Sequence, residues 1–306
     1  MVLLYQLFDN LDGKQARRLG LSSALGLIVD HGCDGINVVM STFSAAALFQ
    51  YGAGLGTLTT LFMATSQFFF AAWDEYYRGE FILPYVNGPN EGVMILAIMY
   101  LASAAMPNYS AFWHTRETLP FIGGSFQRCD IALVHCSASA VPVVLTHVYG
   151  VCYHLTSQRK SGWAIRHAIA TVSPYCLGVG LACYWIYNSD IMSIHPRLTI
   201  WFIGLLFSYT ATQIQVAHVC DGPLQPYRWP CVASVMVLLC NYLIGAVTGE
   251  PLIDEGKALQ LVTYFLLLAW VLMVAGVVRD IAKALDIAVW TVPVKVQNRN
   301  KKLAND

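Results

Sequence analysis

A chain of 306 residues with 18 basic and 18 acidic side chains has no net charge to offer a polyanion. No nucleic-acid-binding signature occurs in it, so nucleic acid is not an expected partner. Hydrophobic residues make up 57% and charged ones 12%, against roughly a quarter charged in soluble domains, which excludes an ordinary soluble protein and points to a lipid bilayer.

The predicted elements are all helical. Residues 1–18 form a helix fragment that opens apolar, lacks the basic flank of a cleavable signal peptide, and ends in the polar run DGKQARR. Apolar spans follow near 22–48, 54–75, 90–107, 130–154, 165–187, 197–219, 229–248 and 259–283. Turn-forming runs such as NGPNEG (87–92), TSQRKSG (156–162) and DGPLQP (221–226) separate them. The expected fold is all-α: a polytopic helical membrane protein with about eight full transmembrane helices plus the N-terminal fragment. One membrane domain (1–293), with its active-site helices in 1–48, precedes a polar tail (294–306). Lys14, Arg17, Arg18, Arg159, Lys160, Arg166 and the lysines and arginines of the tail fall on one side, which the positive-inside rule makes cytosolic. The nine cysteines contain no CxxC pair and read as small hydrophobes, not disulfides or zinc ligands.

The acids are concentrated at the start. Asp9 and Asp12 share a face of the first helix, Gly20 permits a turn, and Ser22 or Ser23 can cap the next helix. On that helix Gly26, Asp30 and Asp34 recur every four residues, so antiparallel packing lets the two acidic pairs face each other. One ionised acid at membrane depth costs about 2.5–3.5 kcal/mol, hence roughly 10 kcal/mol for four without neutralisation. Hard oxygen ligands suit Mg²⁺ or Mn²⁺, and a pair of such ions is a known clamp for phosphoryl displacement. Gly13, Ala16 and Gly26 are small enough to admit a bulky ligand, and Arg17 can fork onto a phosphate. Together they describe a diphosphate site at the membrane edge; a solvated face or a charge-paired helix contact is the plainer reading.

Elsewhere the plainer readings are favoured. Trp73, Tyr76 and Tyr77, beside Phe68, Phe69 and Phe70, read as an interfacial aromatic belt, with a quaternary-ammonium cage as the alternative. Glu91 reads as a capping acid, with a place near the alcohol headgroup as the alternative. His135, His147 and His154 lack zinc-site spacing and read as buried or helix-bonding, and His218 stands apart only through the family likeness that follows.

Asp9, Asp12, Gly13, Ala16, Arg17, Gly26, Asp30 and Asp34 fill every position of D-x2-D-G-x2-A-R-x8-G-x3-D-x3-D, the signature of the CDP-alcohol phosphotransferases. DGKQARR (12–18) and DHGCD (30–34) resemble the eukaryotic choline/ethanolamine phosphotransferase branch, as do WDEYYRGEF (73–81), NGPNEG (87–92), AHVC (217–220) and VVRDIAKALDI (277–287). The resemblance implies that Asp9, Asp12, Asp30 and Asp34 bind two Mg²⁺ or Mn²⁺ ions on the diphosphate of CDP-choline or CDP-ethanolamine. Gly13, Ala16, Arg17 and Gly26 would contact the CDP moiety. A diacylglycerol hydroxyl would attack, with His31 favoured over Asp34 as general base and Asp34 mainly a metal ligand. It further implies a multi-pass protein of the endoplasmic reticulum or Golgi membrane, and a homodimer is common in the family. Two departures stand out. Leu27 occupies the place where the branch usually has an acid (G-E-L-F-D), and only eight residues precede Asp9 where the family normally has a membrane helix, so the chain reads as N-terminally short. Rival readings are a secondary transporter, a catalytically impaired scaffold of the same family, and a transferase for another alcohol.

Overall fold

Gly20 and Ser23 decide where the first two helices part. In the computed structural model, which describes residues 2–82, 92–118 and 123–289, helix α1 (Val2–Leu19) ends with Arg17 and Arg18 in its last turn. Gly20 then takes φ +67°, a left-handed conformation that costs glycine little. The Ser23 side chain accepts from the Gly26 N–H at 3.1 Å and starts α2 (Ala24–Phe49), the cap anticipated from the sequence. Helix α3 (Leu55–Arg78) runs back along α2.

Next come α4 (Val93–Ala105), α5 (Tyr109–His114) and an antiparallel hairpin of β1 (Arg116–Thr118) and β2 (Ser125–Gln127). The chain continues as α6 (Arg128–Ser157), α7 (Gly162–Asn188), α8 (Ile191–Ile194), α9 (Pro196–Val219), α10 (Trp229–Thr248) and α11 (Glu255–Ala284). Seven of these helices, α2, α3, α6, α7, α9, α10 and α11, are long and apolar enough to cross a membrane. The protein is a polytopic helical membrane protein.

The span expected at 90–107 differs. Its described part is the 13-residue α4, about 20 Å at 1.5 Å per residue, shorter than the roughly 30 Å hydrocarbon core. Met106 is extended (φ −89°, ψ 126°) because it precedes Pro107, and so the helix stops. The hairpin was not foreseen: strands of three residues are too short to show an alternating pattern. Arg128 fastens it, donating to Glu117 at 2.9 Å while its guanidinium lies 4.3 Å from the centre of the Phe112 ring.

Helix α9 is the hub, packed by α2, α3, α7 and α11. One apolar cluster joins Leu58 and Leu61 of α3 to Ile200 and Leu205 of α9 and Leu259 and Leu266 of α11. A second joins Phe69 and Trp73 of α3 to Val151 and Leu155 of α6 and Phe207 and Ile214 of α9. The aromatic-belt reading of Trp73 is therefore corrected. This side chain is 1% exposed and its indole N–H donates to Thr171 at 2.9 Å. Tyr76 is likewise tied inward, donating to the Gly222 carbonyl and accepting from the Leu224 N–H. Sequence alone does not say which face of α3 meets α6 and α7. With Trp73 sealed and Tyr76 bonded, this group cannot form an open cage for a cation. All nine cysteines are free thiols, and Cys176, Cys183 and Cys240 lie exposed on α7 and α10, where lipid suits a small apolar group as well as a core does.

Helices α2 and α9 approach closely through small residues. Ser208 donates to the Gly35 carbonyl at 2.9 Å, and a Cβ on Gly204 would stand 2.6 Å from both Val39 methyls. Val39 is β-branched and cannot rotate away cheaply. Gly204→Ala is expected to cost about 1–3 kcal/mol, seen as a lower melting temperature in detergent, and Val39→Ala added to it should recover part of the loss.

Candidate functional site

The polar residues of interest gather where α1, the start of α2 and the ends of α3 and α9 meet. Asp30 and Asp34 stand one turn apart on α2, and α1 brings Asp9 to them. Carboxylate oxygens of Asp9, Asp30 and Asp34 all lie within 4.8 Å of one another, and the three residues are partly buried. The Tyr5 hydroxyl donates to Asp34 Oδ1 and fixes its rotamer. Asp12, expected as a fourth ligand, lies outside this trio: it is exposed and accepts from the N–H of Gly13. It still acts through its charge. Burial pushes the Asp9 carboxyl above its ordinary range and Asp12 adds to that, while His31 opposes it.

Three clustered acids of one sign, with no lysine or arginine ion-paired to them among the described residues, form a hard-oxygen donor set suited to a divalent cation. A Mg²⁺ ion binds carboxylate oxygens at about 2.0–2.1 Å, so the trio, whose oxygens lie within 4.8 Å of one another, needs to draw in only slightly to share one. Arg17, on α1, folds its guanidinium back over Gly13, with Nη1 3.5 Å from where a Cβ would sit. Ala16 lies beside it, partly exposed, and Gly26 is exposed in the first turn of α2. These four positions lie within about two helical turns of Asp9 or Asp30 along α1 and α2.

His31 follows Asp30 directly and points the other way, into the bundle. Its side chain is 10% exposed and its Nδ1 is buried without a hydrogen bond among the described residues. Phe81 covers the ring at 5.6 Å between centroids. The nearest acid is Glu75 of α3, with Oε2 3.8 Å from His31 Nδ1. His218 of α9 approaches the other oxygen of Glu75 at 3.7 Å, and Gln215 donates to Oε2 at 3.1 Å. Neither Glu75 nor Gln215 was singled out from the sequence. The signal was an adjacent pair of acids, Asp74 and Glu75, closing an apolar span, yet their partners lie up to 140 residues away.

Asp74 faces the opposite way. Arg78 pairs with it at 2.8 Å and the buried His147 donates to it at 2.8 Å, so the structural reading of His147 holds. His154 bonds locally to Gln158, and His135 is exposed on α6. Glu91 lies outside the described residues.

The first 118 residues match the family model described as CDP-alcohol phosphatidyltransferase. A Dictyostelium discoideum protein named uncharacterized CDP-alcohol phosphatidyltransferase class-I family protein 3 is 29% identical, covering 96% of this chain and 78% of that protein. Choline/ethanolaminephosphotransferase 1 of Arabidopsis thaliana is 27% identical over 94% of this chain and 75% of its own length. The Saccharomyces cerevisiae protein of the same name is 32% identical over 79% of this chain and 62% of its own length.

The trio predicts a cation site that protons contest. Mn²⁺ binding to the purified protein, followed by paramagnetic resonance, should be lost in Asp30→Ala and weakened less in Asp12→Ala. Because the Asp9 carboxyl holds its proton above the usual range, apparent Mn²⁺ affinity should fall as pH is lowered from 7 to about 5.

Proposed function

We propose that this chain, which belongs to the CDP-alcohol phosphotransferase family through its first 118 residues, transfers phosphocholine or phosphoethanolamine from the CDP-alcohol to diacylglycerol. The observation that carries the reading is the convergence of Asp9, Asp30 and Asp34 from two helices, inside a signature whose eight positions are all filled. The names of the plant and yeast relatives support the choice of headgroup.

In this reading Asp9, Asp30 and Asp34, with Asp12 at the rim, hold two Mg²⁺ or Mn²⁺ ions. When bound, these supply charge neutralisation for the diphosphate and for the phosphate that leaves. The protein's own groups do the rest. Arg17 adds a positive fork beside the diphosphate. Gly13, Ala16 and Gly26, having no bulky side chain of their own, let the nucleotide approach the helix backbones once the flexible Arg17 guanidinium swings off Gly13. The buried side of the site, closed by Phe81 and the α3–α9 contact, keeps water from competing as a nucleophile.

The diacylglycerol hydroxyl oxygen forms a bond to the phosphorus bearing the alcohol, and the bond from that phosphorus to the CMP oxygen breaks. The hydroxyl proton passes to His31, whose imidazole serves as the general base. Asp34, held by Tyr5, serves chiefly as a ligand. Supply of the CDP-alcohol from the cytosol and of diacylglycerol from the bilayer suits a multi-pass enzyme of the endoplasmic reticulum or Golgi membrane, with a homodimer as the expected assembly.

The test is CMP release in membranes lacking endogenous activity, with diacylglycerol, Mg²⁺ and either CDP-choline or CDP-ethanolamine. Release is expected from the wild type and loss of at least about 100-fold in His31→Ala and in Asp30→Ala, with the ratio of the two substrate rates naming the headgroup. Folded protein that releases no CMP from either donor supports the scaffold reading instead, and release only from a different CDP-alcohol reassigns the substrate.

A further inference from the structure

His31 needs something to hold it. A base that takes a proton through Nε2 must keep Nδ1 protonated, and a hydrogen-bond acceptor at Nδ1 enforces that tautomer. Nδ1 is buried and has no hydrogen-bond partner among the described residues. One turn before the histidine on its own helix, where an acid could reach the imidazole, this chain has Leu27. From the neighbouring helix the carboxylate of Glu75 faces Nδ1 at 3.8 Å. That gap is longer than a hydrogen bond, and catalytic contacts of this kind commonly tighten when substrate binds.

We infer that Glu75 is the positioning residue for His31, supplying from α3 the acid that position 27 of α2 lacks. This rests on the phosphotransferase reading above. Three features support it. Glu75 is 5% exposed, and a buried carboxylate demands partners. Its partners are two histidines on different helices and Gln215, which steadies the same oxygen that faces His31. Asp74, next in the chain, is already committed to Arg78 and His147, so of this adjacent pair Glu75 is the acid that faces the imidazole. Glu75 touches neither substrate nor reacting atoms, and acts through the imidazole.

The experiment compares the wild type with Glu75→Ala, Glu75→Gln, Leu27→Glu and the double variant Leu27→Glu/Glu75→Ala, in the CMP-release assay and in thermal unfolding. Glu75→Ala should lower kcat by about 10- to 100-fold with the KM for the CDP-alcohol changed less than about twofold. Glu75→Gln, which keeps an acceptor, should lose less. Leu27 lies one turn before His31, so a glutamate there reaches the same imidazole, and the double variant should recover much of the lost kcat. A kcat unchanged in Glu75→Ala overturns the inference, as does a loss that follows the melting temperature and is not recovered by Leu27→Glu. A wild type without CMP release removes the phosphotransferase reading and this inference together, whereas an active wild type indifferent to Glu75 removes this inference alone.

Discussion

A carboxylate inside a helical bundle must be answered, because neither lipid nor apolar side chains solvate it. That one constraint organises the polar end of this molecule. The answers differ from acid to acid. Asp74 is met by an arginine and a histidine of its own chain, one of them a turn away on α3 and the other on α6. Glu75, the next residue, emerges on another side of the helix and meets histidines from α2 and α9. Asp9, Asp30 and Asp34 gather with the Tyr5 hydroxyl on Asp34, and among the described residues no lysine or arginine is ion-paired to them. The two kinds of answer separate what locks the helices together from what works on a ligand.

The locked part is built on α9. Its contacts with α2, α3 and α11 carry both large apolar clusters, and the small-residue crossing against α2 brings the backbones close. Because α2 carries Asp30, His31 and Asp34, and α3 carries Glu75, the packing that stabilises the bundle also sets the distances within the site. Helix α1 contributes Asp9 and Arg17 from outside this core, with Leu4, Leu7 and Phe8 exposed along it.

Much of this was legible in the residues. The metal-type cluster could be read because charge is scarce in this chain and because period-four spacing stacks Gly26, Asp30 and Asp34 on one face. The turn at Gly20 and the cap at Ser23 could be read because they are local. Long-range partnership could not. Trp73 looked interfacial since its neighbours in the chain end an apolar span, and only the packing of α6 and α7 buries it. Glu75 sat unnoticed in a quoted stretch because its meaning lies in residues 31, 215 and 218. Asp12 shares a face with Asp9, as its spacing requires, and stands outside the trio while accepting from the Gly13 N–H. The broken span near Pro107 was readable in principle, since the residue before a proline leaves the helical region.

Between Ser208, which anchors α9 to Gly35, and His218, which reaches Glu75, the helix acts as a ruler. Ten residues span about 15 Å, and each one turns the helix by about 100°. A single residue gained or lost between these points swings Gln215 and His218 away from α3 while leaving the crossing itself intact. Length changes are therefore barred from this stretch by geometry alone, whereas the polar turn at 158–161 can absorb them without moving any group of the site. Where this chain has room for an insertion or deletion is thus set by the distances its buried acid requires, not by the boundary between apolar and polar sequence.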